Sequence, residues 1–283
     1  TQTRRSVDHS DKDKEKQIME HQTIQSPDFQ GKVCVITGGA AGIGRCLTET
    51  FATLGARVYY IDKQLHDEPH PETVRERIFP FEGDIAKEET LNRFADWVLE
   101  REDQIDILIN NACLMLGGVL SGCSYADFLY VQRVGVAAPY WLTQRFKEHF
   151  RKGASIVNLS STRAFQSQAD TESYSAAKGG ITALTHALAV SLRGIARVNA
   201  IAPGWIETQP YHPEQSGETP EYASADLLQH PSQRIGTPED IARTAVFLCQ
   251  PEDDFVNGIC LTVDGGMTHQ MIYHNDCNWR MDV

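Results

Sequence analysis

The sequence predicts a doubly wound α/β fold in which a parallel sheet is covered by helices on both faces. Two observations carry this expectation. From Gly31 onward, short β-branched runs alternate with segments of helical period. The first of these runs leads directly into a glycine-rich turn that opens an apolar helix.

Along the chain, residues 1–28 are polar and contain the mixed-charge run Asp11-Lys12-Asp13-Lys14-Glu15-Lys16, which predicts a tail outside the folded domain. The domain itself is expected over 29–268. Strand-like runs are KVCVIT (32–37), ARVYYI (56–61), DILIN (106–110), ASIVNL (154–159), RVNAI (197–201) and CLTV (260–263). Helices are expected over 42–54, 87–100, 136–150, 173–193 and 238–249. No internal repeat is present. Residues 204–232, rich in Pro, Glu, His and Gln, break the alternation. A long irregular segment inside a compact domain reads as a substrate lid. The C-terminal segment 269–283 carries Met271, Ile272, Tyr273 and Trp279, too much apolar surface for a solvated tail. It is expected to pack on the domain or on a neighbouring subunit.

Composition narrows the function. A chain of 283 residues holds one large α/β domain or two small ones. The net charge of -12 argues against nucleic acid, which needs a concentrated basic face. Seven cysteines form no C-x-x-C pair, and Cys34 and Cys260 lie inside strand-like runs. This pattern predicts free thiols in a reducing compartment. With no long apolar run and no apolar segment of the secretory type near residue 1, a cytoplasmic protein without a membrane partner is expected. Ten histidines include no pair with convincing ligand spacing, and the tail cluster His269, His274 and Cys277 is weak, so no metal is expected.

The turn reads Thr37-Gly38-Gly39-Ala40-Ala41-Gly42-Ile43-Gly44. Glycines let the backbone turn sharply and approach a pyrophosphate, and the helix opening at Gly42 aims free N–H groups and its positive dipole end at the phosphates. Asp62 ends the second strand, eighteen residues after Gly44. A carboxylate there accepts hydrogen bonds from ribose hydroxyls and repels a 2′-phosphate, which favours NAD over NADP. Lys63 is a mild counter-signal, while Ala41 is not basic.

Tyr174 and Lys178 share one helical face at i and i+4, so the ammonium stands near the phenol. A tyrosine titrates near about 10, and a neighbouring cation is expected to lower that value and make it a usable base. Tyr59 and Lys63 have the same spacing but lie along a strand and past its end, where the argument fails. Ser161 ends the strand ASIVNLS, thirteen positions before Tyr174, where a hydroxyl can meet a substrate oxygen as charge develops.

The T-G-x-x-x-G-x-G turn, the serine and the Y-x-x-x-K pair together resemble the short-chain dehydrogenase/reductase superfamily, from about Gly31 to Met267. Asn110-Asn111-Ala112-Cys113 resembles that family's N-N-A-G, with Cys113 in the glycine position and expected to pack as a small residue. Pro203-Gly204-Trp205-Ile206-Glu207-Thr208 resembles its P-G segment, and 234–242 followed by Val263-Asp264-Gly265-Gly266 resembles its C-terminal half. The resemblance implies a Rossmann-like, seven-stranded, single-domain fold. It implies Ser161, Tyr174 and Lys178 as catalytic residues and NAD as cofactor. The cofactor is then held by Gly38, Gly42, Ile43, Gly44, Asp62, Asp84, Ile85, Asn111, Ala112, Tyr174, Lys178, Pro203, Gly204 and Ile206. Asp84 also reads as a helix N-cap, which is compatible. A homotetramer is implied, with 136–150 and 173–193 pairing across a two-fold axis through Ala176, Ala177, Gly179, Gly180 and Ala183. One position departs from the pattern: Gly135 stands where many relatives carry an asparagine that holds a relay water.

The function expected is hydride transfer between NAD and a secondary alcohol or ketone. Ser161, Arg163, Gln166, Gln168 and His212, with Trp205 and Tyr211 at the lid, suggest a sugar, polyol or hydroxy acid rather than a flat sterol. The alternatives are an NAD-binding sensor or scaffold with weak turnover, motivated by Gly135, and a sterol or ketoacyl reductase. The acidic lid residues Glu207, Glu214, Glu218, Glu221 and Asp226 argue against an acyl-carrier substrate.

Overall fold

Seven strands pair side by side in the computed structural model of the protein, which describes residues 27–66, 69–212 and 220–271. The strands are β1 Val33–Thr37, β2 Arg57–Asp62, β3 Ile78–Glu82, β4 Ile105–Asn110, β5 Phe150–Leu159, β6 Ala196–Pro203 and β7 Cys260–Val263. They form one parallel sheet in the order β3-β2-β1-β4-β5-β6-β7. The order reverses between β1 and β4, and a crevice opens beyond their carboxyl ends. The expected tail at 1–26, lid residues Glu214 and Glu218, and Ile272, Tyr273, His274, Cys277 and Trp279 all lie outside the described residues.

Alternate residues of each strand face opposite sides of the sheet. Cys34 and Ile36 of β1 join a cluster with Leu47 and Phe51 of α1 (Gly42–Thr53). Val33 and Val35 join the opposite cluster, with Phe94 and Val98 of the helix Glu88–Leu99. The chain thus has two buried cores separated by one sheet, a single-domain, doubly wound arrangement. In chain order the remaining helices are α2 Glu72–Arg75, α3 Glu88–Leu99, α4 Tyr125–Gln132, α5 Ala138–Phe146, α6 Glu172–Ser191, α7 Ser224–Leu228 and α8 Pro238–Cys249.

Two elements differ from the sequence-based expectation, each for a physical reason. The strand β3 was not among the apolar runs because Pro80 interrupts it. Val58 N–H donates to Arg77 O at 2.7 Å and Gly83 N–H to Asp62 O at 2.8 Å, so the odd-numbered residues of β3 face β2. Pro80 therefore turns its donor-less nitrogen outward, which an edge strand tolerates. The helix expected over 136–150 instead starts at Tyr125, passes through a π-helical turn at Arg133–Ala137 and ends with α5. Its true start is marked by Ser124, whose hydroxyl accepts from Asp127 N–H at 3.1 Å. Gly135, a poor helix former, breaks the periodicity in the middle. From Phe150 the chain is already strand.

The small residues of α6 divide between two faces. A Cβ added to Gly135 would lie 2.8 Å from Ala177 Cβ, and one added to Gly180 would lie 2.8 Å from Val136 Cγ2. Ala177 and Gly180 are thus used within the chain, to let α6 approach the π turn. Ala176, Gly179 and Ala183 remain on the outer face.

Phe94 is fully buried and packs against Phe81 and Trp97 with ring centroids 5.4 and 6.2 Å away. Phe94→Ala is expected to lower stability by about 3–5 kcal/mol, measured by urea unfolding.

Candidate active site

The carboxyl ends of β1 and β4 are tied together. Thr37 Oγ1 accepts from the backbone N–H groups of Asn111 and Ala112 at 3.0 and 3.1 Å. Asn111 Nδ2 donates to the carbonyls of Thr37 and Gly38 at 3.0 and 2.9 Å. This bracing holds the glycine turn in a shape that excludes side chains. A Cβ on Gly44 would fall 1.7 Å from Gly38 O, and Gly38 has φ +69° with Ala112 Cα 2.9 Å from where its Cβ would be. The helix α1 then begins with no side-chain cap and no acidic residue in its first turn. Its first N–H groups are left for an outside anion. The cavity in front has a volume of about 400 Å³ and is lined by Gly38, Gly42, Ile43, Gly44, Asp62, Asp84, Ile85, Asn111 and Ala112. These expected residues do converge, and the glycine cradle with its uncapped helix fits a dinucleotide pyrophosphate.

Asp62 is already in use as a brace. Its Oδ2 accepts from Ala40 N–H at 3.0 Å and its Oδ1 from Lys63 N–H at 2.7 Å. Asp84 Oδ1 accepts from Ala86 N–H at 2.9 Å and so closes a turn ahead of the helix; the N-cap position itself falls on Lys87, so the expected N-cap role of Asp84 is not what the structure has. Its other oxygen accepts from Tyr130 OH at 3.0 Å, and Lys63 Nζ donates to that same phenol at 3.1 Å. Tyr130 was not singled out from sequence. It lines the cavity because helix α4 starts earlier than expected, so no local motif announced it.

The second group of residues surrounds Tyr174, in the first turn of α6. Lys178, one turn on, is 3% exposed. Its Nζ donates to Leu159 O at 2.6 Å and stands 5.3 Å from the Tyr174 ring centroid. Below them, Asn110 Nδ2 donates to Asn158 Oδ1 at 2.8 Å, and Asn158 Nδ2 to Thr185 Oγ1 at 2.9 Å. This buried chain links β4, β5 and α6. Ser161, just past β5, hydrogen-bonds the Tyr174 phenol. Its Oγ also accepts from Arg163 N–H at 3.1 Å.

Burial pushes the Tyr174 phenol up, helped by the neighbouring Cys113. The Ser161 hydrogen bond and the Arg163 charge act in the opposite direction and do not overcome burial. The net lowering expected from Lys178 is therefore not seen in the protein alone: burial outweighs the ammonium that stands 5.3 Å from the ring. Cys113 is exposed and sits against Tyr174, not packed away as a small residue.

A second cavity, of about 660 Å³, opens beside Ser161 and Tyr174 and is lined by Arg163, Gln166, Gln168, Gly204, Trp205 and Ile206, among others. Gly204 leaves β6 after Pro203, with Asp264 Cβ only 2.6 Å from where its own Cβ would be. Pro203 itself is buried at the end of β6. Two expected pocket residues are elsewhere. His212 lines the glycine-turn cavity, its Nε2 3.3 Å from Thr208 Oγ1. Tyr211 donates to Glu239 at 2.8 Å and packs toward α1 and α8. A short 3₁₀ turn at Gln209–Tyr211 carries both away from Ser161. Glu207 of the lid segment accepts from Tyr222 OH at 2.9 Å. Among the described residues no three His, Cys, Asp or Glu side chains gather as metal ligands.

Comparison with known proteins gives consistent matches. A family profile described as Enoyl-(Acyl carrier protein) reductase, of the short-chain alcohol dehydrogenase type, matches residues 38–268. An uncharacterized oxidoreductase of Thermotoga maritima is 40% identical over 254 residues, which cover 87% of this chain and 99% of the relative. The 7α-hydroxysteroid dehydrogenase of Escherichia coli K12 is 33% identical over 253 residues, 86% of this chain and 96% of that protein. The solved structure of an apo SCOR enzyme from Clostridium thermocellum superposes with a TM-score of 0.79 at 39% identity, covering 89% of this chain and 99% of that one.

The packing of the π turn on α6 generates a test. Gly135→Asn is expected to cost about 1–3 kcal/mol, because its Cβ overlaps Ala177. Combining it with Ala177→Gly should recover part of that loss. Thermal unfolding of the single and double variants checks both.

Proposed function

Because the chain belongs to the short-chain dehydrogenase/reductase family, whose members use a nicotinamide cofactor, we propose that it is an NAD-dependent oxidoreductase interconverting a secondary alcohol and a ketone on a sugar, polyol or hydroxy acid. The observation that carries this reading is the convergence of Ser161, Tyr174 and Lys178 beside the uncapped start of α1.

A nicotinamide dinucleotide, when bound, supplies the two-electron chemistry. The chain's own residues bind, orient and move the proton. Tyr174 exchanges a proton with the substrate oxygen, and Ser161 hydrogen-bonds that oxygen as charge develops on it. Lys178, anchored on Leu159 O, fixes a positive charge near the phenol, and its remaining N–H groups would be available to hold the nicotinamide ribose. Ile206, Ala112 and Gly204 are assigned to the nicotinamide side, and Asp84 and Ile85 to the adenine side. Asp62 has lone pairs left for the ribose hydroxyls and opposes a 2′-phosphate. Lys63, the counter-signal, is drawn off to Tyr130, which supports NAD.

A sterol substrate, suggested by the hydroxysteroid relative, fits less well: an apolar ring system would desolvate the polar wall formed by Arg163, Gln166, Gln168 and Gln229 without offering it hydrogen bonds. A binding or sensing role with weak turnover is the second reading, favoured by Gly135, which offers no side chain to hold a relay water. We also assign the protein to the cytoplasm, in keeping with its free thiols. It is assigned as a homotetramer meeting through the outer face of α6, where Ala176, Gly179 and Ala183 permit close approach.

Three outcomes are expected. Steady-state rates at equal concentrations of NAD and NADP should favour NAD, and Asp62→Ala should narrow the difference. Equal or faster rates with NADP would remove the assignment to NAD. Tyr174→Phe should abolish turnover while NADH binding, titrated by fluorescence, stays within a few-fold. Because burial holds the phenol protonated, alcohol oxidation by the unaltered protein should speed up as pH rises from about 7 toward about 10, while ketone reduction, whose proton donor stays protonated across that range, should change little.

A further inference from the structure

Arg163 sits in a setting that its charge does not explain. It lies in the short 3₁₀ turn Thr162–Ala164, and its backbone N–H is bonded to Ser161 Oγ. Its root is therefore fixed beside the position expected to meet the substrate oxygen. The guanidinium carbon stands 5.8 Å from the Tyr174 ring centroid. Its side-chain hydrogen bonds go to two neutral acceptors, Gln168 Oε1 and, at 3.5 Å, the soft sulfur of Met115. No acidic side chain pairs with it among the described residues. It is also the one charged side chain among the described residues that line the 660 Å³ cavity. In a chain of net charge -12, the wall of the substrate crevice thus carries a positive charge with no acidic partner among the described residues, in addition to the buried Lys178 ammonium beside Tyr174.

Other arginines here show what satisfied guanidinium groups look like. Arg57 grips Glu102 through two bonds of 2.5 and 2.6 Å, and Arg234 grips Asp240 through two of 2.6 and 2.8 Å. A planar fork of donors is suited to a carboxylate in this bidentate manner. Gln168 and Met115 satisfy the group weakly and can give way, since neither loses a charge partner. The rest of the wall supplies Gln166, Gln168 and Gln229, whose amides both donate and accept, as hydroxyl groups require.

Resting on the oxidoreductase reading above, we propose that the substrate is a hydroxy acid of the sugar-acid type. Arg163 binds its carboxylate, a few bonds from the carbinol carbon, and the glutamines bind its remaining hydroxyls. The carboxylate is a recognition handle and is unchanged by the reaction. Arg163 is thereby the specificity-determining residue of the site.

The test uses matched probes: glycerol, glycerate and glycerol 3-phosphate, together with sorbitol and gluconate. Binding to the NAD-saturated protein is measured by calorimetry, and NADH formation is followed separately by absorbance. At least one acid should bind tenfold or more tighter than its neutral partner. Arg163→Gln should weaken that acid roughly 10- to 100-fold, as expected for loss of a charged hydrogen-bonding group. Arg163→Lys should restore only part, and NADH fluorescence titration verifies that each variant keeps its cofactor site. Equal affinity of acid and neutral probes, no binding by either acid, an advantage that survives in Arg163→Gln, or tighter binding of the phosphate than of glycerate would each overturn the proposal. Acid binding without NADH formation would instead overturn the oxidoreductase reading and leave the recognition intact. Turnover of the neutral polyols with no preference for the acids would do the reverse.

Discussion

Four hydrogen bonds between the ends of β1 and β4 set the geometry on which both cavities depend. Thr37 and Asn111 are reciprocal: one gives a hydroxyl acceptor to the other's backbone, and receives amide donors on its own. Because these strands are neighbours at the reversal of strand order, the bracing lies at the floor of the crevice that opens beyond their carboxyl ends. It also forces Gly38 and Gly44 into an approach that tolerates no side chain. Losing the Thr37 hydroxyl would leave the Asn111 and Ala112 N–H groups without their acceptor, and losing the Asn111 amide would leave the Thr37 and Gly38 carbonyls without their donor; either loosens the turn together with the start of α1.

A second, independent system positions Tyr174. The chain Asn110–Asn158–Thr185 runs through the sheet into α6, and Lys178 returns from α6 to the Leu159 carbonyl. The helix is therefore held to β5 by polar ties at two levels, while Ala177 and Gly180 hold it against the π turn on another side. A tyrosine fixed this firmly and this deeply has a phenol reluctant to ionise. Fixation is favourable for orienting a proton donor and unfavourable for forming a base. In the reading proposed here, the positive charge of an oxidised nicotinamide supplies the difference.

Much of this was legible from the chain. The glycine turn, Asp62, Ser161 and the Tyr174–Lys178 pair are local patterns, each tied to one strand end or one helix turn, and the structure brings them to the crevice. What the sequence concealed was tertiary. Tyr130 reaches the cavity from a helix whose start depends on a single capping serine. His212 and Tyr211 were assigned to the wrong cavity because a 3₁₀ turn redirects the chain after Glu207. The effect of Lys178 was overestimated, since spacing places the ammonium near the ring but does not reveal how deeply the phenol is buried. Cys113 read as a small packed residue because its position, not its surroundings, was visible. Gly135 was noticed as a missing side chain, whereas the structure adds that Ala177 fills the space.

The outward nitrogen of Pro80 has a consequence for how copies of this protein meet. A sheet grows by presenting a row of free donors and acceptors to an incoming strand. At β3 that row lacks one donor and carries a rigid ring in its place. The opposite edge, β7, spans only Cys260–Val263. The sheet is consequently guarded against open-ended strand addition at one margin and short at the other. Edge-to-edge strand pairing with another chain is thereby disfavoured at both margins, and the sheet offers no extended template for cross-strand growth.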